Sequence, residues 1–485
     1  MKWIFITEII YVLIVILVCL RIIWDTGTTT KALAYLLLVI FVPFIGIFFY
    51  FSFGINYRKR KMYSKKIFQD DVLAERFREQ ILQYSEKTYR ENIDIVENNK
   101  ELARLLTYDS LSALTSGNEV KLLINGEQKF PEVLNAIASA KHHIHIEYYI
   151  FENDSIGKSV IEALIAKVGE GITVRFIYDD FGSHALNRKI LKRMKDGGIN
   201  LFPFSRVRLF ALANRLNYRN HRKIIVIDGN IGFVGGINIS ERYINSEEQG
   251  KKLYWRDTHL RIEGAGTYYL QYLFLCDWNF CAQSQLQPSR EFFPSPTLLN
   301  NKGNKIVQIA ASGPDSERPT ILFSLLQAIS LASKEILITT PYFIPGESIL
   351  DALMVAALGG VSVKILVPGI SDSRIVNAAA FSYYDSLLNA GAEIYLYQKG
   401  FIHSKTLVAD DKIAMVGTAN MDHRSFDLNF EVNAIVYDET FAKELKREFY
   451  KDLKDAESID VKAWNNRPII KQLGEKCARL ISPML

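Results

Sequence analysis

Residues 220–240, NHRKIIVIDGNIGFVGGINIS, and residues 401–421, FIHSKTLVADDKIAMVGTANM, are written in one frame. Each has His-x-Lys, four residues, Asp, and then Gly and Asn. The first copy supplies His221, Lys223, Asp228, Gly235 and Asn238, and the second His403, Lys405, Asp410, Gly417 and Asn420. Residues two apart on a strand point to the same face, so each copy presents an imidazole beside an ammonium. Two facing copies put two histidines, two lysines and two asparagines around one anion. Such a site suits phosphodiester chemistry and requires both halves of the chain.

A single match of common residue types is a weak pattern, but a second with the same apolar filling and the same trailing Gly and Asn is a strong one. A lone histidine is ordinarily a satisfied core or surface residue; the duplicated context displaces that reading here. The aspartates are different. Asp228-Gly229-Asn230 and Asp410-Asp411 each interrupt two apolar runs and read as hairpin turns. For Asp228 and Asp410, turn formation and direct chemistry both stay open.

Outward from the motifs, one order of elements occurs twice. VKLLI, a helix over 131–140, HIHIEYYIF, a helix over 155–168 and ITVRFIYDD predict β-α-β-α-β. IVQIA, a helix over 320–332, EILITTPYFI, a helix over 348–358 and VSVKILVPG repeat it at a period of roughly 190 residues. The predicted class is α/β, with two pseudo-symmetric lobes, each a mixed or parallel sheet sandwiched by helices. Their boundaries are 115–290 and 291–485, the second with a C-terminal tail, and a Pro-, Ser-, Gln- and Asn-rich linker covers 283–304.

Residues 3–24 are apolar except for Thr7, Glu8 and Arg21, and residues 32–53 carry no charge. Both are long enough to cross a bilayer, and Pro43 and Gly46 are tolerable in a membrane helix. The single Lys2 and the lack of a small-residue cleavage site argue against a signal peptide. The expectation is a two-helix transmembrane hairpin over 1–56 with both termini inside. Arg58, Lys59, Arg60, Lys61, Lys65 and Lys66 place that end in the cytoplasm. Residues 57–114 then form a basic, helical juxtamembrane linker that folds back along the first lobe. Arg206, Arg208, Arg215 and Arg219 alternate with Leu209, Phe210, Leu212 and Leu216, which fits either a solvated basic segment or a rim on anionic lipid.

At 485 residues the chain holds two or more domains, and its net charge of +5 suits an anionic surface without being a nucleic-acid signature. Cys19, Cys276, Cys281 and Cys477 show neither paired metal spacing nor a disulfide framework. There is no Gly-rich nucleotide loop, and no metal or cofactor is expected. Lys223 and Lys405 can neutralise a phosphodiester, with Asn238, Asn420 and backbone amides near Gly235 and Gly417 adding hydrogen bonds. One imidazole attacks phosphorus; the other protonates the leaving oxygen and then deprotonates the incoming hydroxyl. The residues alone do not distinguish the two histidines.

The paired stretches resemble the two HKD motifs of the phospholipase D superfamily. FGINYRKRK, EYYIFENDSIG, YDDFGS, RDTHLRIEG, TTPYFIP, SDSRIV, GFIHSKTLV and LISPML are similar to the bacterial cardiolipin synthase family, over essentially the whole chain. The resemblance implies His221 as nucleophile, forming a phosphohistidine, and His403 as acid–base. Asp257 in WRDTHLRIEG and Glu431 in NFEVNAIVYD match the superfamily's supporting acids, although both also fit ordinary strand-edge carboxylates. It further implies transfer between two phosphatidylglycerol molecules to give cardiolipin and glycerol, at the cytoplasmic face of the bacterial inner membrane, in a multi-pass protein with no nucleic-acid partner. Self-association stays open. The alternatives are a phospholipase D that uses water, a nuclease of the same superfamily, and an inactive lipid-binding scaffold; the intact motifs argue against the last.

Overall fold

The computed structural model describes residues 2–26, 29–51, 71–204, 218–245, 253–282, 286–295, 302–480 and 482. The first half contributes β1 (Thr115–Ile124), β2 (His143–Tyr148), β3 (Thr173–Asp179), β4 (Asn200–Phe204), β5 (Lys223–Ile227), β6 (Ile231–Gly235), β7 (Tyr254–Arg256) and β8 (Thr258–Glu263). The second half contributes β9 (Lys305–Ser312), β10 (Glu335–Thr339), β11 (Phe343–Ile344), β12 (Ser362–Pro368) and β13 (Glu393–Tyr397). These are followed by β14 (Gly400–Ile402), β15 (Thr406–Ala409), β16 (Ile413–Gly417), β17 (Met421–Asp422), β18 (Glu431–Tyr437) and β19 (Ala456–Ser458). The halves run β1-β8-β6-β5-β2-β3-β4 and β9-β18-β16-β15-β10-β12-β13-β19. The repeat read from the sequence is thus a repeat of strand order.

Instead of two separate sheets, the halves form one sheet of 15 strands, because β1 pairs with β9. That junction is irregular, with partners only at Thr115↔Val307 and Asn118↔Lys305. Each of these strands is the inner edge of its half, and an uncovered edge leaves its N–H and C=O groups without partners. Parallel crossovers through helices Ser155–Gly169, Gly346–Leu358 and Arg374–Asn389 cover the outer strands. The motif strands β5–β6 and β15–β16 are antiparallel hairpins near the centre of each half.

The hairpin turns explain the motif aspartates. Asp228 and Asp410 take positive φ, 51° and 53°, where short polar side chains are tolerated. The Asp228 carboxylate accepts the amides of Lys141, His142 and His143 at 2.8, 2.8 and 2.9 Å. Asp410 accepts those of Ser333, Lys334 and Glu335 at 2.7, 2.7 and 2.9 Å. Each aspartate therefore ties its turn to the start of the neighbouring strand. Of the two readings left open, this geometry supports the structural one.

One N-terminal expectation changes. Helix Lys100–Ser110 packs on the second lobe, not the first: Leu102, Ala103 and Leu106 share a core with Ile306, Ile321 and Leu325. Gln308 in β9 needs partners on that face and donates to the Ser112 carbonyl at 2.8 Å. Asp109 adds Arg318 at 2.8 Å and Thr320 at 2.6 Å.

Among the described residues, Trp3–Asp25 is the one helix long and apolar enough to span a membrane. The second apolar stretch is broken at Val42 into two shorter helices, Thr29–Phe41 and Pro43–Phe49. Pro43 starts the new helix, where its missing N–H costs nothing. A Cβ on Gly46 would lie 2.6 Å from the Leu38 carbonyl carbon, so glycine lets the two pieces fold together. The Tyr35 and Tyr50 rings stand 5.7 Å apart, and Tyr50 reaches Asp25 at 3.4 Å. Phe51 then packs with Tyr218 and Leu428. The basic residues at 58–66 lie outside the described residues.

Replacing Asp410 by Ala strips three backbone amides of their acceptor and should cost about 1–3 kcal/mol. The expected result is a lower Tm with turnover per folded molecule within a few-fold of the parent, measured by thermal denaturation and kcat on the same samples. A hundredfold loss of kcat without a change in Tm would restore a chemical role.

Candidate active site

Each motif histidine sits just ahead of its strand, and its lysine folds back towards it. Lys223 Nζ donates to the His221 carbonyl at 2.7 Å, and Lys405 Nζ donates to the His403 carbonyl. All four side chains are buried.

What aligns them comes from the other half of the chain. The His221 amide donates to the Phe430 carbonyl at 3.0 Å, and the His403 amide to the Arg256 carbonyl at 2.7 Å. Short parallel pairings surround these bonds: β14 with β7, from Gly400↔Tyr254 to Ile402↔Arg256, and the Asn220↔Phe430 bridge. The next residue on each partner segment is a carboxylate. Glu431 meets His221 Nδ1 at 2.9 Å, and Asp257 meets His403 Nδ1 at 2.7 Å. Each supporting acid therefore serves the histidine of the opposite motif. An ionised carboxylate only accepts, so Nδ1 carries the proton and Nε2 keeps its lone pair.

Glu431 is itself held by Ser425 Oγ at 2.9 Å, Asn429 Nδ2 at 3.3 Å and Thr418 Oγ1. Burial pushes its pKa up, but His221, Lys223 and Thr418 outweigh that and hold it below the usual range. Asp257 accepts the Thr258 amide at 2.7 Å. Sequence reasoning missed Thr418, Ser425 and Asn429. Thr418 had a signal, since it stands where the first motif has Gly236; the other two had none.

Burial dominates the electrostatics. It lowers His221 to about 4 and His403 to about 3, with both lysines adding to the depression in each case. It lowers Lys223 to about 7, with the Lys405 charge contributing, and Lys405 to about 8. Each lysine thus acts on the histidine of the other motif, which places the four groups around one space. Both imidazoles are neutral at pH 7. An anion between them would relieve the mutual repulsion of the two ammonium groups.

Other expected contributors do different work. Asn238 donates to the Tyr243 hydroxyl at 3.0 Å and accepts the Ile150 amide at 3.2 Å, so its side chain braces the loop. Asn420 bonds Asp422 and leaves a buried Oδ1 with no partner. The amides expected to donate to phosphate serve the sheet: Gly236 N to Thr258 O at 2.9 Å and Gly417 N to Lys405 O at 3.2 Å. Gly235 and Gly417 are packing residues. A Cβ would come within 2.6 Å of His259 Cα at the first and 1.9 Å of Asn433 Oδ1 at the second. Arg219 is no lipid rim, for it is buried beside Asp179 and lies 4.6 Å over the Phe181 ring. Arg206, Arg208 and Arg215 lie outside the described residues. Tyr149, 4.9 Å from the His221 ring, and Trp255, 5.7 Å from that of His403, form aromatic walls.

A family profile described as cardiolipin synthase, PLD-like domain, matches residues 133–250 and 325–453. The chain is 42% identical over 443 residues to the cardiolipin synthase of Geobacillus sp. (strain WCH70), across 91% of this chain and 86% of that protein. It is 39% identical over 476 residues to the major cardiolipin synthase of Bacillus subtilis (strain 168), across 98% of each. The chain belongs to the cardiolipin synthase family. Among solved structures, the phosphatidylserine synthase of Haemophilus influenzae aligns with a TM-score of 0.59 at 14% identity, over 79% of this chain and 100% of that one, and shares the fold. The two family matches coincide with the two halves that meet at the reciprocal histidine–carboxylate pairs.

Glu431→Gln keeps the shape but allows an amide to donate to Nδ1, favouring the wrong tautomer. We expect kcat to fall roughly 10³-fold or more with KM little changed, on the scale of the equivalent loss in serine protease triads. The lysines predict a second effect. Their depressed pKa values, about 7 and about 8, mean that the ammonium charge is present below this range and lost above it. KM for an anionic substrate should therefore rise from pH 7 to 9, and Lys223→Arg, always charged, should flatten that rise.

Proposed function

We propose that this member of the cardiolipin synthase family joins two phosphatidylglycerol molecules into cardiolipin and glycerol by phosphatidyl transfer. The observation that carries the chemistry is the pair of imidazoles, each fixed at Nδ1 by an acid from the other half and each keeping Nε2 for reaction. His221 Nε2 attacks phosphorus of the first lipid, and the glycerol oxygen leaves with a proton from His403. His403 is neutral in the free site. The bound phosphodiester offsets part of the two ammonium charges and raises the proton affinity of this imidazole, whose Nε2 takes up a proton from solvent before it serves as the acid. His403 then takes the proton from a hydroxyl of the second lipid, whose oxygen displaces His221 from phosphorus. One phosphodiester replaces another, so no external energy source enters the balance. The nucleophile is assigned to His221 by family resemblance; Lys223 and Lys405 neutralise and hold the phosphoryl oxygens.

The setting is the bacterial inner membrane. Helix Trp3–Asp25 leaves most of its apolar surface exposed, as a lipid-facing helix does. The contact of Phe51 with Tyr218 and Leu428 brings the end of the anchor within a few residues of His221 and Glu431. The basic run at 58–61 supports a cytoplasmic position for the lobes. Phosphatidylglycerol and cardiolipin lie in that same layer.

Full-length protein in phosphatidylglycerol vesicles, with chelator and without nucleotide, should release glycerol and form cardiolipin. His221→Ala and His403→Ala should each lower the rate at least about 10³-fold. Phosphatidic acid as the main product would replace transfer by hydrolysis. Lipid association without turnover in the parent protein would leave a scaffold.

A further inference from the structure

The last helix, Ile469–Leu480, is amphipathic, but its orientation is reversed. Its polar side packs inward. Glu475 is buried and accepts from Arg467 at 2.9 Å, and the Arg479 guanidinium lies 4.3 Å over the Tyr383 ring of helix Arg374–Asn389. Its apolar side faces out, with Ile469 81%, Ile470 85%, Leu473 59% and Leu480 81% exposed. Ile470, Leu473, Cys477 and Leu480 follow a three-four-three spacing, which forms one stripe along a helix. Lys471 and Lys476 are exposed beside it. Among the described residues nothing covers the stripe, while the polar face is already satisfied.

We infer that the outer face of helix Ile469–Leu480 lies in the interface of an anionic bilayer, as a second membrane contact separate from the N-terminal helix. Apolar residues enter the acyl boundary while the flanking lysines stay at headgroup level, where anionic lipids complement them. The chain already carries a membrane anchor, which holds this helix at high local concentration near the surface. A second copy fits less well. Twelve residues make a helix of about 18 Å, too short to bury the ~1,200 Å² of a stable protein interface on its own stripe. In the same lobe, helix Gly346–Leu358, which also packs on helix Arg374–Asn389, exposes Val355 and Leu358.

The inference rests on the reading that the substrate is a membrane lipid, but its test does not use turnover. In full-length protein with Cys19→Ala, Cys276→Ala and Cys281→Ala, an environment-sensitive fluorophore is placed on native, exposed Cys477. The protein is reconstituted in vesicles of phosphatidylglycerol and phosphatidylcholine. Quenchers attached near the top of the lipid acyl chains should reduce emission at least twofold, while aqueous iodide has little access, at every protein density. Free iodide access would overturn the inference. Shielding that grows with protein density and shows no lipid quenching would overturn it in favour of a second copy. Ile470→Glu with Leu473→Glu should abolish lipid quenching. Failure of the transferase reading would appear separately, as missing cardiolipin with the quenching pattern intact.

Discussion

Each motif histidine is gripped twice by the opposite half of the chain, once at its backbone amide and once at Nδ1. Everything else in the centre of the molecule follows from that reciprocity. The continuous sheet, the β14–β7 pairing and the Asn220–Phe430 bridge fix the halves in one register. A slip of one residue would turn Glu431 and Asp257 to the wrong face of their strands and leave both imidazoles without a partner. Neither half holds a complete site, since each supplies the histidine of one pair and the acid of the other.

The same burial that orders these groups carries an electrostatic cost. Two lysines with depressed pKa values and two neutral imidazoles stand close together with little solvent. Moving an ammonium out of water costs several kcal/mol, and the nearby carbonyls and the carboxylates of Glu431 and Asp257 offset only part of it. A phosphodiester completes the charge balance. In the proposed reaction the lysines' interaction grows as charge builds on the non-bridging oxygens, which is the differential binding that catalysis requires.

Much of this was legible in the residues, and the misses have definite causes. The duplicated motif gave the halves, the shared site and the two histidine–lysine pairs, because strand periodicity is local. Asp228 and Asp410 look alike as chemistry and as turn residues until their carboxylates are seen on the amides of Lys141–His143 and Ser333–Glu335. Asn238 matches Asn420 in sequence, yet Tyr243 and the Ile150 amide take up its hydrogen-bonding groups. The stretch at 32–53 reads as one continuous apolar run, and hydropathy carries no record of the break at Val42 or of the fold-back that Pro43 and Gly46 permit.

Sequence periodicity was enough to set the order of strands and helices, the doubling of the lobe and the residue types at the centre. These depend on side-chain alternation, turn chemistry and repetition, all of which act over a few residues. The pairing of Glu431 with His221 and of Asp257 with His403, the merging of two sheets through β1 and β9, and the placement of helix Lys100–Ser110 on the second lobe came only with tertiary structure. Each of these joins segments that are distant along the chain. Their partners are selected by which edges and faces remain uncovered once the local elements have formed, and no short window of residues contains that information.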